Sequence, residues 1–274
     1  MPQQEIVEAV LTYSIDTGKM PVNQTFEEGN VERAYTGEFA NHNMTISDGR
    51  SLRDQLSLDV HGFELADHKT KMENFLDEDE IKSVYYPEVD QLIKDRTGAS
   101  RVVIFDHTVR IGDEKKQQKY QTREPVLRVH NDYTDWSGPQ RVRDLLPPDE
   151  AEELLKHRFA IVQAWRPIQD VLKTNPLAIA DSRSLAPGDL IISERRYPDR
   201  VGQTYQIAHN PGHQWFYFPD MTRDEAIVFK VYESETDGRA RWTAHTSFDD
   251  PTTPTGAPAR ESIEMRTLAF FEPN

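Results

Sequence analysis

Short hydrophobic runs, rich in β-branched and aromatic residues, fill the chain from Arg101 onward. Pro, Gly, Asp or Asn separates each run from the next, as expected for strands joined by turns. Nine runs fit this pattern: RVVIFDHTV, PVLRVHNDYT, RFAIVQAWRPI, NPLAIADSRSL, TYQIAHN, HQWFYFP, EAIVFKVYES, RWTAHTSF and SIEMRTLAFF. Strands at this spacing favour a jelly roll, and the absence of strand and helix alternation argues against a doubly wound α/β sheet.

Helical periodicity occurs at two places. Hydrophobic residues from Ile81 to Ile93 recur at helical spacing, and Gly98 follows as a C-cap. The segment PPDEAEELLKHR is the one convincing helix among the strands, with Pro and acidic residues first and Lys and His last. We therefore expect a single domain over 1–274, mainly β, with a double-stranded β-helix (jelly roll) core at 101–274, flanking helices, and a flanking or lid region at 1–100.

Composition limits the chemistry and the partners. The 274 residues include no cysteine, so a metal would be bound by His, Asp or Glu rather than by thiolates. The net charge of −15 argues against binding to nucleic acid. No apolar run reaches the roughly 18 residues that a membrane span needs. We expect a cytoplasmic protein that acts on a small molecule, and the sequence does not indicate an oligomeric state.

The pair His130 and Asp132 is the most informative of the polar features. The two residues are two positions apart at the end of a strand, so both side chains leave the same face. They can therefore occupy two adjacent coordination positions of one metal ion. A second histidine from a later strand would complete the 2-His-1-carboxylate arrangement that is typical of non-haem Fe(II) oxygenases.

The segments after this pair supply three further parts, in the order expected of a jelly-roll oxygenase that uses 2-oxoglutarate. An acidic turn leads into the strand at 224–229, His245 follows in a later strand, and Arg260, Ser262 and Arg266 share one face of the last strand. A guanidinium can bind a carboxylate through two parallel hydrogen bonds, and a hydroxyl can add another. We therefore expect Arg260 or Arg266, with Ser262, to bind the distal carboxylate of 2-oxoglutarate.

Three histidines compete for the third ligand position. His245 is favoured because it lies between the strand of the acidic turn and the strand of the arginines. His213, at the start of an aromatic strand, is the second choice, and His209 is the third. We expect the catalytic metal ligands to be His130, Asp132 and His245.

Many phrases of the chain resemble one known family. RVVIFDHTVR, EPVLRVHNDYT, FAIVQAWRPI, DEAIVFKVYES, TAHTSFDDPTTP and RESIEMRTLAFF look like the CmcJ/AsaB-like hydroxylase/desaturase family of non-haem iron, 2-oxoglutarate-dependent oxygenases. The resemblance covers about residues 80 to 271. It implies that His130 and Asp132 are metal ligands and that His213 and His245 have functional roles.

The resemblance also draws attention to residues that can contact the substrate. Tyr133 and Thr134 adjoin the metal pair, and Trp165 and Arg166 lie on a strand that should line the barrel. An arginine buried on such a strand is costly unless it meets a carboxylate, so we expect Arg166 to contact substrate or keto acid. His213 is a further substrate-binding candidate.

The leading hypothesis is an enzyme of secondary metabolism that uses Fe(II), 2-oxoglutarate and O2 to oxidise a C–H bond of a small molecule. Hydroxylation, desaturation and oxidative ring closure all remain open. An amino acid or amino-acid-derived substrate is preferred, because several arginines lie on the predicted lining strands. Two alternatives belong to other classes: a cupin-like metal-dependent isomerase or hydrolase without a keto acid, and a non-catalytic jelly-roll binding module.

Overall fold

Two β-sheets form the framework of the molecule, which the computed structural model describes at residues 5–25, 33–198 and 200–273. The strands are β1 (Ile6–Ile15), β2 (Val22–Thr25), β3 (Arg33–Tyr35), β4 (Glu38–Asp48), β5 (Phe63–Asp67), β6 (Arg101–Ile111), β7 (His130–Asn131), β8 (Phe159–Pro167), β9 (Leu177–Ala180), β10 (Leu190–Arg196), β11 (Val201–Ile207), β12 (Trp215–Tyr217), β13 (Glu225–Glu233), β14 (His245–Ser247) and β15 (Glu261–Phe270).

The strands are divided unequally between the sheets. One sheet has the order β1-β4-β12-β9-β14-β7-β11-β10-β2-β3, and the other has the order β5-β13-β8-β15-β6. Strands β12 to β15 alternate between the two sheets, so the chain winds around a shared core. The expected mainly β double-stranded β-helix is confirmed.

The core between the sheets is built from alternate residues of the facing strands. Ile161 and Trp165 of β8, Phe229 of β13 and Phe270 of β15 pack in one cluster with Ile179 of β9. All five side chains are almost fully buried. The apolar area removed from water here stabilises the fold at about 25 cal/mol per Å².

The first hundred residues contribute strands to both sheets. β1 and β4 pair with each other, and β4 also pairs with β12. β5 forms an edge of the five-stranded sheet by pairing with β13. The N-terminal region thus lies alongside the strands that carry the site rather than apart from them.

Helices lie around the sheets, and most are short. They are α1 (Glu78–Glu80), a π-helical turn (Ile81–Tyr85), α2 (Tyr86–Thr97), α3 (Glu114–Tyr120), α4 (Ser137–Leu145) and α5 (Pro148–Leu154), with 3-10 turns at Arg50–Gln55, Ser182–Ser184 and Pro187–Asp189. The continuous segment from α1 to α2 confirms the first predicted helix, and α5 confirms the second.

The end of α2 and its buried face agree with the sequence pattern. Val89, Leu92 and Ile93 are buried against the outer face of the five-stranded sheet. Gly98 ends the helix in the left-handed conformation at φ 74°, and its N–H donates to the Lys94 carbonyl at 2.9 Å. Glycine adopts this conformation without the Cβ clash that other residues suffer.

Helix α4 was not predicted, because Gly138 and Pro139 near its start have low helix propensity. Its position is set by packing. A Cβ on Gly138 would overlap the ring of Tyr232 on β13, so only glycine allows the helix to approach the sheet this closely. The helix begins five residues after Asp132 and therefore lies beside the predicted metal pair.

We expect Gly138→Ala to lower the free energy of unfolding by about 1–3 kcal/mol, because the added methyl group must displace the buried Tyr232 ring. Gly188→Ala is the matched control, since a Cβ there meets no atom within 4 Å. Urea unfolding of the two variants and the wild type measures the difference. Equal urea midpoints for both variants would show that α4 can move away from Tyr232 without loss of stability.

Candidate functional site

Strand pairing brings His130 and His245 together. β7 and β14 run antiparallel with His130 directly opposite His245, and the two ring centroids are 4.4 Å apart. Asp132 follows β7 and turns toward the same point. The ligand atoms of His130, Asp132 and His245 all lie within 4.8 Å of one another. Three such atoms can bind one metal ion on one side and leave its other side open.

Backbone carbonyls fix the orientation of both imidazoles. The Nδ1 atom of His130 lies 2.8 Å from the Arg128 carbonyl, and that of His245 lies 3.0 Å from the Thr243 carbonyl. A carbonyl oxygen only accepts hydrogen bonds, so each Nδ1 carries the proton. Each Nε2 therefore presents a lone pair, which is the form that binds a metal.

Burial keeps the second histidine neutral. His245 is only 2% exposed. Burial, with the neighbouring His130 ring as the second cause, lowers the pKa of His245 to about 4. The ring is therefore uncharged at pH 7, and no proton competes with a metal for Nε2.

The two oxygens of Asp132 have different surroundings. The Gln163 side-chain amide donates to Oδ2 at 2.6 Å, and the Arg266 guanidinium lies 3.4 Å from the same oxygen. Oδ1 lies 3.5 Å from the Nε2 atom of His130. Burial opposes ionisation of Asp132, but the neighbouring His130 and the charge of Arg266 hold its pKa well below the usual value. The carboxylate is ionised, with Oδ1 directed toward His130.

Arg266 of β15 and Arg260, which immediately precedes β15, have different partners. Arg266 forms ion pairs with Asp106, Asp132 and Glu264. Arg260, in contrast, is in no ion pair with any described residue, although it is 2% exposed. Its location inside the barrel without a carboxylate partner is costly.

Neutral groups surround the Arg260 guanidinium. It donates to the Ser262 hydroxyl at 2.9 Å, and to the Ser247 hydroxyl and the Asn175 carbonyl at 3.0 Å each. The guanidinium carbon lies 4.9 Å from the centre of the Trp165 ring. Burial, with the charge of Arg110 as the second cause, lowers the pKa of Arg260 to about 9. A bound anion would remove this penalty.

A cavity of about 410 Å³ lies against the His-Asp pair. His130, Asp132, Tyr133 and Arg266 line its inner part, and residues of α4 line another side. This volume suits a small organic molecule.

Comparison with known proteins identifies the family. A family profile described as "Oxidoreductase/YMDC permease-like domain" matches residues 11–270. The hydroxylase/desaturase efuI of Hormonema carpetanum is 35% identical over 257 residues, which cover 84% of this chain and 83% of efuI. The alpha-ketoglutarate-dependent dioxygenase phiK of a fungal species is 34% identical over 282 residues, which cover 98% of each chain.

A solved structure agrees with these relatives. The iron and alpha-ketoglutarate-dependent endoperoxidase NvfI superposes with a TM-score of 0.86 at 26% identity, covering 97% of this chain and 98% of NvfI. The chain belongs to the Fe(II)/2-oxoglutarate-dependent hydroxylase/desaturase family. It is therefore an oxidoreductase, a dioxygenase whose cofactors are Fe(II), 2-oxoglutarate and O2, and the resemblance found in the sequence is confirmed.

Arg166 of this oxygenase, which we expected to contact substrate or keto acid, does not line the cavity. Its side chain leaves β8 on the face opposite to Gln163 and Trp165. There it bonds to His68, donates to the Arg223 carbonyl at 3.0 Å and lies over the Tyr85 ring. The residue is fully buried among these groups. It holds the π-helical turn that ends at Tyr85 against the five-stranded sheet.

His213 does not join the other two histidines. Its Nδ1 lies 3.1 Å from the Tyr13 hydroxyl, and its Nε2 lies 3.0 Å from an Asp189 oxygen. Both ring nitrogens are thus occupied within the protein. His209 stacks on His42 at a centroid distance of 3.7 Å in the same neighbourhood. The geometry favours His245 over both as the partner of His130 and Asp132.

The remaining predicted contact residues are divided between the cavity and the scaffold. Tyr133 lines the cavity. Thr134 is buried, and it exchanges hydrogen bonds with Ser137 at the start of α4. Trp165 lies under Arg260, and its Nε1 has no hydrogen-bond partner among the described residues.

Two polar residues of the site were missed by reading the sequence. Gln163 donates to Asp132, and Glu264 pairs with Arg266. A signal was present in each case, because Gln163 lies two residues before Trp165 and Glu264 lies between Ser262 and Arg266 at strand spacing.

Across residues 5–25, 33–198 and 200–273, no helix is long and apolar enough to cross a bilayer.

We expect Arg166→Gln to reduce the free energy of unfolding by about 1–3 kcal/mol, because buried hydrogen bonds are lost, without changing the affinity of the folded enzyme for 2-oxoglutarate. Urea unfolding and anaerobic titration with Fe(II) and 2-oxoglutarate measure the two effects. Arg183→Gln is the control, because Arg183 is exposed and pairs with Asp181 outside the site. Weaker 2-oxoglutarate binding with an unchanged free energy of unfolding would show that Arg166 contacts the keto acid.

Proposed function

We propose that this enzyme oxidises a C–H bond of a small molecule at an Fe(II) ion held by His130, Asp132 and His245. The observation that carries the proposal is the convergence of their ligand atoms within 4.8 Å, with both Nδ1 protons already bound to backbone carbonyls. Two imidazoles and one carboxylate are the donor set that suits Fe(II) in oxygenases. The donors present therefore fit the metal of the family.

Arg260 and Ser262 bind the distal carboxylate of 2-oxoglutarate in this proposal. The buried Arg260 has no carboxylate partner among the described residues, and the Trp165 Nε1 beside it is an unpaired donor. A bound carboxylate would provide acceptors for buried donors that otherwise cost free energy. Arg266 serves Asp132 instead, since its guanidinium is already surrounded by three carboxylates.

The residues around the metal position orient the reactants. Gln163 and Arg266 hold Oδ2 of Asp132, which leaves Oδ1 as the ligand atom. Phe229 packs on the His245 ring at a centroid distance of 4.9 Å and keeps water from that side. When bound, Fe(II), 2-oxoglutarate and O2 supply the oxidising power, and the protein supplies position and exclusion of water. Where the substrate lies in the cavity decides between hydroxylation, desaturation and ring closure.

The substrate in this proposal is a secondary metabolite of the amino acid or amino-acid-derived class. Arginines on the cavity wall support this class, because they can bind a substrate carboxylate. Relatives named for biosynthesis, such as the Aspirochlorine biosynthesis protein N of Aspergillus oryzae, support the metabolic setting. The enzyme acts as one domain in this proposal, since the shared core includes residues from Leu56 to Phe270.

We expect His130→Ala and His245→Ala to abolish the visible charge-transfer band that forms when Fe(II) and 2-oxoglutarate bind anaerobically. Each substitution removes one of three metal ligands. His213→Ala is the control and should retain the band, because its ring nitrogens contact Tyr13 and Asp189. Loss of the band in His213→Ala, with retention of the band in His245→Ala, would instead make His213 the third metal ligand. Bound iron without any band in the wild type would contradict the keto-acid chemistry.

We expect Arg260→Met to raise the half-saturating concentration of 2-oxoglutarate about 10- to 100-fold, because charge-assisted hydrogen bonds to its carboxylate are lost. Iron affinity should change little. Arg266→Met should give the opposite division, weaker iron binding with nearly normal keto-acid affinity, since Arg266 contacts Asp132. Anaerobic titrations of each component measure both. The assignment of the arginines would be reversed if Arg266→Met chiefly weakened 2-oxoglutarate binding.

A further inference from the structure

The cavity beside the metal ligands is rich in arginine. Seven arginines and four acidic residues line its wall. This local excess of positive charge contrasts with the net charge of −15 of the whole chain. The excess therefore belongs to this cavity and not to the surface in general.

Most of the acidic residues on the wall already have partners. Asp106 and Asp132 bind Arg266, and Asp144 accepts a hydrogen bond from Gln140 at 2.7 Å. The hydrogen bond from the neutral Gln140 amide leaves the charge of Asp144 in place, but the seven arginines on the wall still exceed the four acidic residues by three. Arg128 and Arg141 form no ion pair with any residue in the described ranges.

Arg141 on α4 is the arginine best placed to bind an anion. Its Nε is buried and has no hydrogen-bond partner among the described residues. The guanidinium carbon lies 4.8 Å from the centre of the Phe105 ring, which limits the positions that the group can take. A buried N–H donor without an acceptor costs free energy, and because Arg141 lines the cavity, turning its guanidinium toward an incoming carboxylate would remove that cost.

Two further arginines add positive charge to the same wall. Arg110 on β6 donates to the Glu124 carbonyl at 3.0 Å, and burial lowers its pKa. Arg128 lies over two aromatic rings, 4.8 Å from Tyr35 and 4.9 Å from Phe39. Guanidinium groups stacked on rings are held in place while their edges remain available for hydrogen bonds.

We propose that the cavity selects substrates that carry a carboxylate, that Arg141 binds this carboxylate, and that Arg110 and Arg128 strengthen the attraction. This inference rests on the proposed function, because it concerns the substrate of the same metal centre. The aromatic groups on the wall, such as Phe105 and Tyr133, contact the apolar body of the substrate and position it near His130 and Asp132. Arg141 is thus a specificity-determining residue.

Paired acids and amides test the proposal without knowledge of the natural substrate. The probes are phenylacetate, indole-3-acetate and N-acetylphenylalanine, each compared with its primary amide of the same size. Binding to the anaerobic enzyme with Fe(II) and 2-oxoglutarate is measured by the change in the charge-transfer band. We expect at least one acid to bind about tenfold more tightly than its amide, with the difference decreasing as salt is added.

Two variants assign the effect to Arg141. Arg141→Gln should reduce the preference for the acid over the amide to about twofold or less, while the half-saturating concentration of 2-oxoglutarate stays unchanged. Arg143→Gln is the matched control on the same helix, because Arg143 pairs with Glu152 and does not line the cavity. It should retain the full preference for the acid.

The outcomes separate this inference from the proposed function. A normal charge-transfer band in the wild type, with acids and amides bound equally or no acid bound, would overturn the inference and leave the metal chemistry intact. A shift of 2-oxoglutarate affinity in Arg141→Gln would assign Arg141 to the keto acid and would also overturn it. An absent band in the wild type would overturn the proposed function, and the inference with it.

Discussion

The buried carboxylate of Asp132 is the group on which the arrangement of the site depends. An ionised carboxylate inside a protein is stable only if hydrogen bonds and opposite charges replace the water that it has lost. Gln163 and Arg266 provide this compensation on one oxygen, and His130 faces the other. Because Gln163 lies on β8 and Arg266 on β15, the carboxylate links the five-stranded sheet to the loop after β7.

The last strand distributes charge along the interior of the barrel. Arg260 immediately precedes β15, and Ser262, Glu264 and Arg266 follow it at strand spacing, so the three strand side chains leave the same face. Arg266 and Glu264 pair next to Asp132, whereas Arg260 is left without a carboxylate among the described residues. One strand thus supports a ligand of the metal at one end and offers a binding group for an anion at the other. This division explains how two arginines six residues apart can serve different purposes.

How much could be predicted depended on whether a residue's role is local. The spacing of His130 and Asp132 is a local feature, and the structure brings both side chains to one point. The face of β8 that carries Arg166 was harder to predict. Every residue of β8 is buried, so the sequence shows no alternation of polar and apolar residues that separates the inner face from the outer. Helix α4 was missed because Gly138 and Pro139 near its start have low helix propensity, and its contact with Tyr232 is a tertiary one. Its omission also concealed Arg141, which lines the cavity from that helix.

The sequence by itself determined the mainly β fold class and the family. It also determined the absence of thiolate ligands and the pairing of His130 with Asp132, because these follow from residue types and short spacings. Only the tertiary structure decided which histidine lies opposite His130, since β14 reaches β7 across more than a hundred residues. It also decided which arginine keeps an unpaired charge and which arginines surround the cavity. These choices depend on strand register and on burial, and both are set by contacts between distant segments.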